Sequence, residues 1–120
     1  MKYSLIIPVY NNENTIPLLL NEVSILNSKM SGELEGVFVV DGSPDNSLKI
    51  LRDLLEASNL NYQILVHARN FGSFAAIRTG LMAARGKFFA VMSADLQEPI
   101  SLISSFFEVL DKDAAVITSL

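Results

Sequence analysis

Short apolar runs alternate with stretches of helical spacing along this chain. Residues 4–9 (SLIIPV), 36–40 (GVFVV), 62–66 (YQILV), 88–92 (FFAVM) and 115–119 (AVITS) are brief and mostly rich in β-branched or aromatic residues, which predicts strands. They are almost continuously apolar, so each is expected to be buried on both faces, as in a parallel sheet. Between the first two, Ile16, Leu19, Leu20, Val23 and Leu26 recur at helical spacing, with Pro17 tolerated in the first turn. A second helix is expected to carry Leu48, Leu51 and Leu55 after a cap at Asn46 or Ser47. A third, over residues 73–85, is small-sided at Ala75, Ala76, Gly80, Ala83 and Ala84, so it can pack close to the sheet, with Gly86 as its C-cap. The fourth starts near Pro99 and carries Leu102, Phe106, Val109 and Leu110.

The order βαβαβαβαβ predicts an α/β fold: an open, mostly parallel twisted sheet with helices on both faces, built by right-handed crossovers. A chain of 120 residues suffices for one domain. It stops on the apolar run AAVITSL, so it is expected to be the N-terminal piece of a longer protein. Half the residues are hydrophobic and 18% are charged, which predicts a folded chain. The net charge of −4 argues against a nucleic-acid partner. With no cysteine, disulfides and thiolate metal sites are excluded. The N-terminus is too short in apolar residues for a signal peptide or a membrane span, so a cytoplasmic location is expected.

In open α/β sheets ligands bind beyond the carboxyl ends of the strands. Those positions read PVYNNEN, DGSPDNS, HARNFGS and SADLQEP. No G-x-G-x-x-G follows the first strand and no Walker A lysine loop is present, which disfavours dinucleotide dehydrogenases and P-loop NTPases. A phosphoacceptor receiver domain needs an acid pair after strand one and an Asp after strand three. Val9-Tyr10 and His67-Ala68 stand there instead.

Asp41, at the end of strand two, is placed to accept hydrogen bonds from a base or a ribose. Gly42 would let the backbone approach a ligand. Asp45 reads more simply as a turn and capping residue. Asp95 and Gln97 offer oxygens two residues apart, which suits Mg²⁺ or Mn²⁺, and Asp95 reads equally well as a helix N-cap. His67 reads as a strand-end residue ahead of a base or ligand. Phe71, Phe74, Phe88, Phe89, Phe106 and Phe107 read as core. Arg78, Arg85 and Lys87 read as a solvated face.

Taken together, SLIIPVYNNENTI, VVDGSPDNS and RNFGSFAAIRTGLMAARGKFFAVMSADLQEP resemble the family 2 glycosyltransferases, above all those acting on polyprenyl phosphates. The four strand-end motifs stand in the family's order and span essentially the whole chain. The resemblance implies a GT-A fold whose Rossmann-like N-terminal half binds a UDP- or GDP-linked sugar. Carried over by motif, Pro8, Tyr10 and Glu13 line the nucleoside and Asp41 contacts the base or ribose. Arg69 and Asn70 lie near the donor. Ser93 and Ala94 contact the donor beside Asp95 and Gln97, which hold the metal and the diphosphate. Val40 stands where the family has the first Asp of Asp-Asp-Gly-Ser. Ser93 replaces the first acid of Asp-Ala-Asp, and a hydroxyl brings no charge, so metal affinity is expected to fall.

The resemblance implies inverting transfer of a sugar to a lipid phosphate. Saccharide extension, or nucleotide binding without chemistry, are the alternatives. The acceptor-side residues and membrane helices belong to a C-terminal region beyond this chain, so the chain alone is expected to bind donor without turnover and to self-associate. The full-length protein is expected at the cytoplasmic face of the membrane.

Overall fold

The computed structural model describes residues 2–97 and 99–112. The elements run β1 (Tyr3–Val9), α1 (Ile16–Lys29), β2 (Leu34–Asp41), α2 (Ser47–Glu56), β3 (Asn61–His67), α3 (Ser73–Ala83), β4 (Phe88–Val91) and α4 (Ile100–Lys112). The expected strand at residues 115–119 lies outside the described residues. The four strands form one sheet in the order β3-β2-β1-β4, and every adjacent pair is parallel.

Strand alternation divides the core in two. Leu5, Ile7, Val9, Phe38 and Val40 join Leu19, Val23, Leu51, Leu55, Ile103 and Phe107 in one buried cluster under α1, α2 and α4. On the opposite face Ile6 and Val39 meet α3, whose Gly80 lies so close that an added Cβ would stand 2.6 Å from Ile6 Cγ2. The small-sided third helix therefore packs as its sequence predicts.

Several expectations change. Among the described strands only β1 and β2 are buried on both faces. β3 forms one end of the sheet and is half exposed, because α3 covers only part of it. Among the described residues β4 forms the other end, and it too is only partly buried rather than covered on both faces. Two interleaved apolar stripes run along α4. The one that packs is Ile103, Phe107 and Leu110, leaving Leu102 and Val109 exposed. Phe107 is core and Phe88 and Phe106 pack against it, whereas Phe71, Phe74 and Phe89 are exposed. Gly86 does not cap α3, which ends at an extended Ala84. It lies instead against the Tyr3–Ser4 backbone, where a Cβ would meet Ser4 N at 2.7 Å.

A buried polar cluster at the strands' N-terminal edge had no signal in the apolar pattern. Glu35, 2% exposed, accepts hydrogen bonds from Ser4 Oγ at 2.6 Å and Gln63 Nε2 at 3.1 Å, and from the Arg85 N–H. Burial opposes its ionisation, but the Ser4 hydroxyl, the Arg85 N–H and Gln63 outweigh burial and hold the carboxyl below its ordinary range.

Candidate functional site

The strand order reverses between β1 and β4, the switch point at which open α/β sheets bind ligands. A cavity of about 280 Å³ opens there. Pro8, Val9, Tyr10 and Asn12 line it from the end of β1, Asp41 from β2, Asn70, Gly72 and Ser73 from the β3–α3 loop, and Ser93 and Asp95 from beyond β4. Six of the predicted residues thus line the one cavity: Pro8, Tyr10, Asp41, Asn70, Ser93 and Asp95. Glu13, Arg69, Ala94 and Gln97 do not line it.

Those four have other contacts. Glu13 Oε2 accepts the Asn46 N–H at 3.1 Å, and its own N–H reaches Asp45 Oδ2 at 3.2 Å. Arg69 stacks over the Phe71 ring, 4.2 Å from its centroid. Ala94 is buried, and its carbonyl accepts the Thr15 hydroxyl at 3.1 Å. Gln97 is exposed, and its N–H turns back to Asp95 Oδ1 at 3.2 Å.

Backbone-to-side-chain bonds tie the loops together. Asn11 N–H donates to Ser43 Oγ at 2.9 Å and Asn12 N–H to Ser47 Oγ at 3.1 Å. Asp45 accepts the Ser47 N–H at 3.0 Å and the Ser43 hydroxyl, the turn-and-cap role read for it. Burial works against its charge, but the Ser43 and Ser47 hydroxyls and two N–H groups lower its pKa. No side chain caps α2 from Asn46. Gly42 has φ +63°, and a Cβ there would strike the Arg69–Asn70 backbone. The close approach that requires glycine is therefore chain on chain.

Asp41 is the hub of the β3–α3 loop. Only 3% exposed, it accepts the Phe71 N–H at 2.9 Å and His67 Nδ1 at 2.8 Å on Oδ1, and the Gly72 N–H at 3.0 Å on Oδ2. A carboxylate only accepts, so Nδ1 carries the ring proton. In the neutral ring, Nε2 then accepts the Thr79 hydroxyl at 2.8 Å. Burial raises the cost of charging Asp41. The Phe71 N–H, the His67 ring and the Gly72 N–H more than offset that cost and hold its pKa below the ordinary value. His67 is thus a partly buried strut between Asp41 and α3. Its place at a strand end is legible in the sequence, whereas its partners, 26 and 12 residues away, are not. Asn12 and Ser73 also line the cavity; both lie within the strand-end motifs PVYNNEN and HARNFGS, but nothing in the pattern singles them out.

Asp95 is exposed on the cavity wall. Ser93 Oγ donates to its Oδ1 at 2.8 Å, the oxygen the Gln97 N–H also uses. Leu96 between them has φ +60°, a left-handed conformation that costs about 1 kcal/mol for a side chain of this kind. That conformation lets the chain fold back on Asp95. Neither of these donors uses Oδ2. Among the described residues no group of three or more His, Cys, Asp or Glu side chains gathers. One exposed carboxylate with a second oxygen donor close by in the chain fits a hard divalent cation that takes its other ligands from water and substrate.

The family model for glycosyl transferase family 2 matches residues 4–120. The undecaprenyl-phosphate 4-deoxy-4-formamido-L-arabinose transferase of Pseudomonas fluorescens is 36% identical over 96 residues, 80% of this chain and 28% of that protein. The Klebsiella pneumoniae protein of the same name is 30% identical over 116 residues, 97% of this chain and 36% of its own length. The chain thus spans about a third of the relatives it matches. Among solved structures, Staphylococcus aureus TarS 1–349 in complex with UDP-GlcNAc superposes with TM-score 0.78 at 27% identity, covering 95% of this chain and 32% of that one. The Pyrobaculum calidifontis mannosyltransferase PcManGT, in complex with GDP-Man and Mn²⁺, superposes with TM-score 0.77 over 90% of this chain and 32% of its own. At 22% identity, that likeness speaks to the fold. The α/β architecture is of the GT-A kind that the motifs imply. No helix among the described residues is long and apolar enough to cross a membrane.

Proposed function

The chain belongs to glycosyl transferase family 2, and from that premise we propose that it is the nucleotide-sugar-binding part of a transferase that moves a sugar from a nucleoside diphosphate to a polyprenyl phosphate with inversion. The observation that carries the reading is the convergence of Tyr10, Asp41, Asn70, Ser93 and Asp95, from four separate strand ends, on one cavity at the switch point. Polyprenyl phosphate is the acceptor class in the names of the relatives, and the UDP-GlcNAc and GDP-Man complexes of the structural neighbours suggest the donor class.

Tyr10 presents an exposed ring on which a base can stack. The Asp41 clamp holds Asn70 and Gly72 at the wall. The first turn of α3 presents its N-terminal dipole to the same cavity, favourable to a diphosphate. Asp95, with Gln97, would hold Mg²⁺ or Mn²⁺, which supplies positive charge against the diphosphate when bound. Ser93 orients Asp95 through its hydroxyl without adding charge. A lipid phosphate oxygen is already anionic, so attack on the anomeric carbon needs no base from this part of the protein. Acceptor-side groups and membrane attachment at the cytoplasmic face are assigned to a C-terminal region of the longer protein.

A second reading, nucleotide binding without transfer, draws on Ser93, which leaves the metal motif with one acid. Calorimetry with UDP and GDP, with and without Mn²⁺, tests donor binding. The expected result is binding that Mn²⁺ strengthens and that loses this gain in Asp95→Asn. Absence of binding to either nucleotide would refute both readings. Transfer of radiolabelled sugar to a polyprenyl phosphate by the full-length protein separates them.

A further inference from the structure

Helix α3 turns its small residues inward and large apolar ones outward. Ala76 and Gly80 are buried against the sheet, while Phe74 is 89%, Met82 79% and Leu81 42% exposed. Phe74, Arg78 and Met82 follow at four-residue spacing, so they share one outer stripe. With His67, Phe71 and Thr79 they line an open groove of about 550 Å³. Arg69, stacked on Phe71, adds a second cation at its edge.

Charge sets this region apart. Residues 57–94 contain Arg69, Arg78, Arg85 and Lys87 and no acidic residue, in a chain whose net charge is −4. A groove that mixes exposed Phe and Met with arginine, and whose lining among the described residues holds no acidic side chain, suits an interface where apolar side chains enter acyl chains and guanidinium groups meet anionic headgroups. A second copy fits less well. Two such faces meeting about a twofold axis would oppose arginines with no carboxylate between them.

We propose that the outer face of α3 docks on the surface of a bilayer containing anionic lipid. The β3–α3 loop forms part of both the groove and the donor cavity. Docking would therefore bring the cavity to the lipid surface where a lipid-phosphate acceptor resides. That consequence, though not the docking itself, rests on the proposed function.

Flotation of the 120-residue chain, without the C-terminal region to which membrane attachment is assigned, on vesicles of phosphatidylglycerol and phosphatidylcholine against phosphatidylcholine alone tests the proposal. Binding is expected only with phosphatidylglycerol, weakening as salt rises. Arg78→Glu and the double variant Phe74→Ser/Met82→Ser should each lower the bound fraction at least about fivefold. All three side chains are exposed, so thermal melts should match the parent. No flotation, equal flotation on both vesicles, or variants that float like the parent would each overturn the proposal. So would sedimentation showing a dimer that the double variant dissolves, which would give the face to a second copy. Nucleotide calorimetry on the same variants should be unchanged. A failure to bind nucleotide would remove the donor-site reading and leave the flotation result to stand alone.

Discussion

Replacing Asp41 should loosen the donor cavity and the fold together. Its carboxylate accepts from the Phe71 N–H, the Gly72 N–H and His67 Nδ1 at 2.8–3.0 Å while almost wholly buried. Hydrogen bonds to a charged group contribute about 1.5–3 kcal/mol each, and a stranded buried donor costs about 1–3 kcal/mol. Phe71 is half exposed, so water can reach part of the freed loop, and the simple sum overstates the loss. Asp41→Ala is therefore expected to cost about 3–5 kcal/mol. Asp41→Asn keeps an oxygen but turns an NH₂ toward donors, and should cost about 2–3 kcal/mol. Urea titration measures this as a lower midpoint at unchanged slope. The pH arm has a definite sign. Burial raises the Asp41 pKa and the three hydrogen bonds more than reverse that rise, so the folded value lies below the unfolded one. Its stabilisation is present above the ordinary carboxylate pKa and is lost as pH falls through the folded value. Asp41→Asn should therefore lose less stability than the parent on acidification through that window. Amide exchange at Phe71 and Gly72 should quicken in both variants. A midpoint within about 0.5 kcal/mol of the parent would refute the clamp.

Gly42→Ala should destabilise by about 3 kcal/mol or more, from left-handed strain together with collision against the Arg69–Asn70 backbone; an unchanged thermal midpoint would contradict the loop crossing. Ser93→Asp adds the second acid to the motif and should tighten Mn²⁺ binding on the order of tenfold, read by calorimetry in the presence of UDP; equal affinity would show that Asp95 alone sets the site. Glu35→Gln should cost about 2 kcal/mol near neutral pH. Because the folded pKa of Glu35 is lowered, that difference should shrink as pH falls through its folded value, and melts at neutral and acid pH compare the two.

The buried strands and the strand-end motifs were legible because both follow from local rules. Continuous apolar runs mark β1 and β2, and the rule that ligands bind beyond the strands' carboxyl ends puts the motifs holding Tyr10, Asp41, Ser93 and Asp95 on one edge. What could not be read depends on tertiary choice. Two apolar stripes on α4 have the same helical period, and only packing selects Ile103, Phe107 and Leu110. The exposure of β3 depends on how far α3 reaches across the sheet. Gly42 announced a close approach, but not that the approaching group was the Arg69–Asn70 backbone. Glu35 carried no signal because its partners Ser4, Gln63 and Arg85 lie 31, 28 and 50 residues away in sequence.

Glu35 and Asp41 belong to one device. Both lie on β2, six residues apart, on the face that α3 covers. Asp41 takes the N–H groups of Phe71 and Gly72, which lead into α3, and through His67 reaches Thr79 within it. Glu35 takes the N–H of Arg85, just past the end of α3, while Gln63 bridges Glu35 to the Ala83 carbonyl. Ser4, bonded to Glu35, takes the N–H of Gly86. The helix is therefore pinned at both ends to carboxylates on one central strand. The need for this follows from its composition. Ala76 and Gly80 bury little apolar area, and at about 25 cal/mol per Å² such a face holds a helix weakly. Phe74 and Met82, which could have supplied that area, point away from the sheet. Buried carboxylates hold the inner side, so the large apolar residues are not needed for the core, and the loop that lines the donor cavity is fixed by the same bonds that fix the helix.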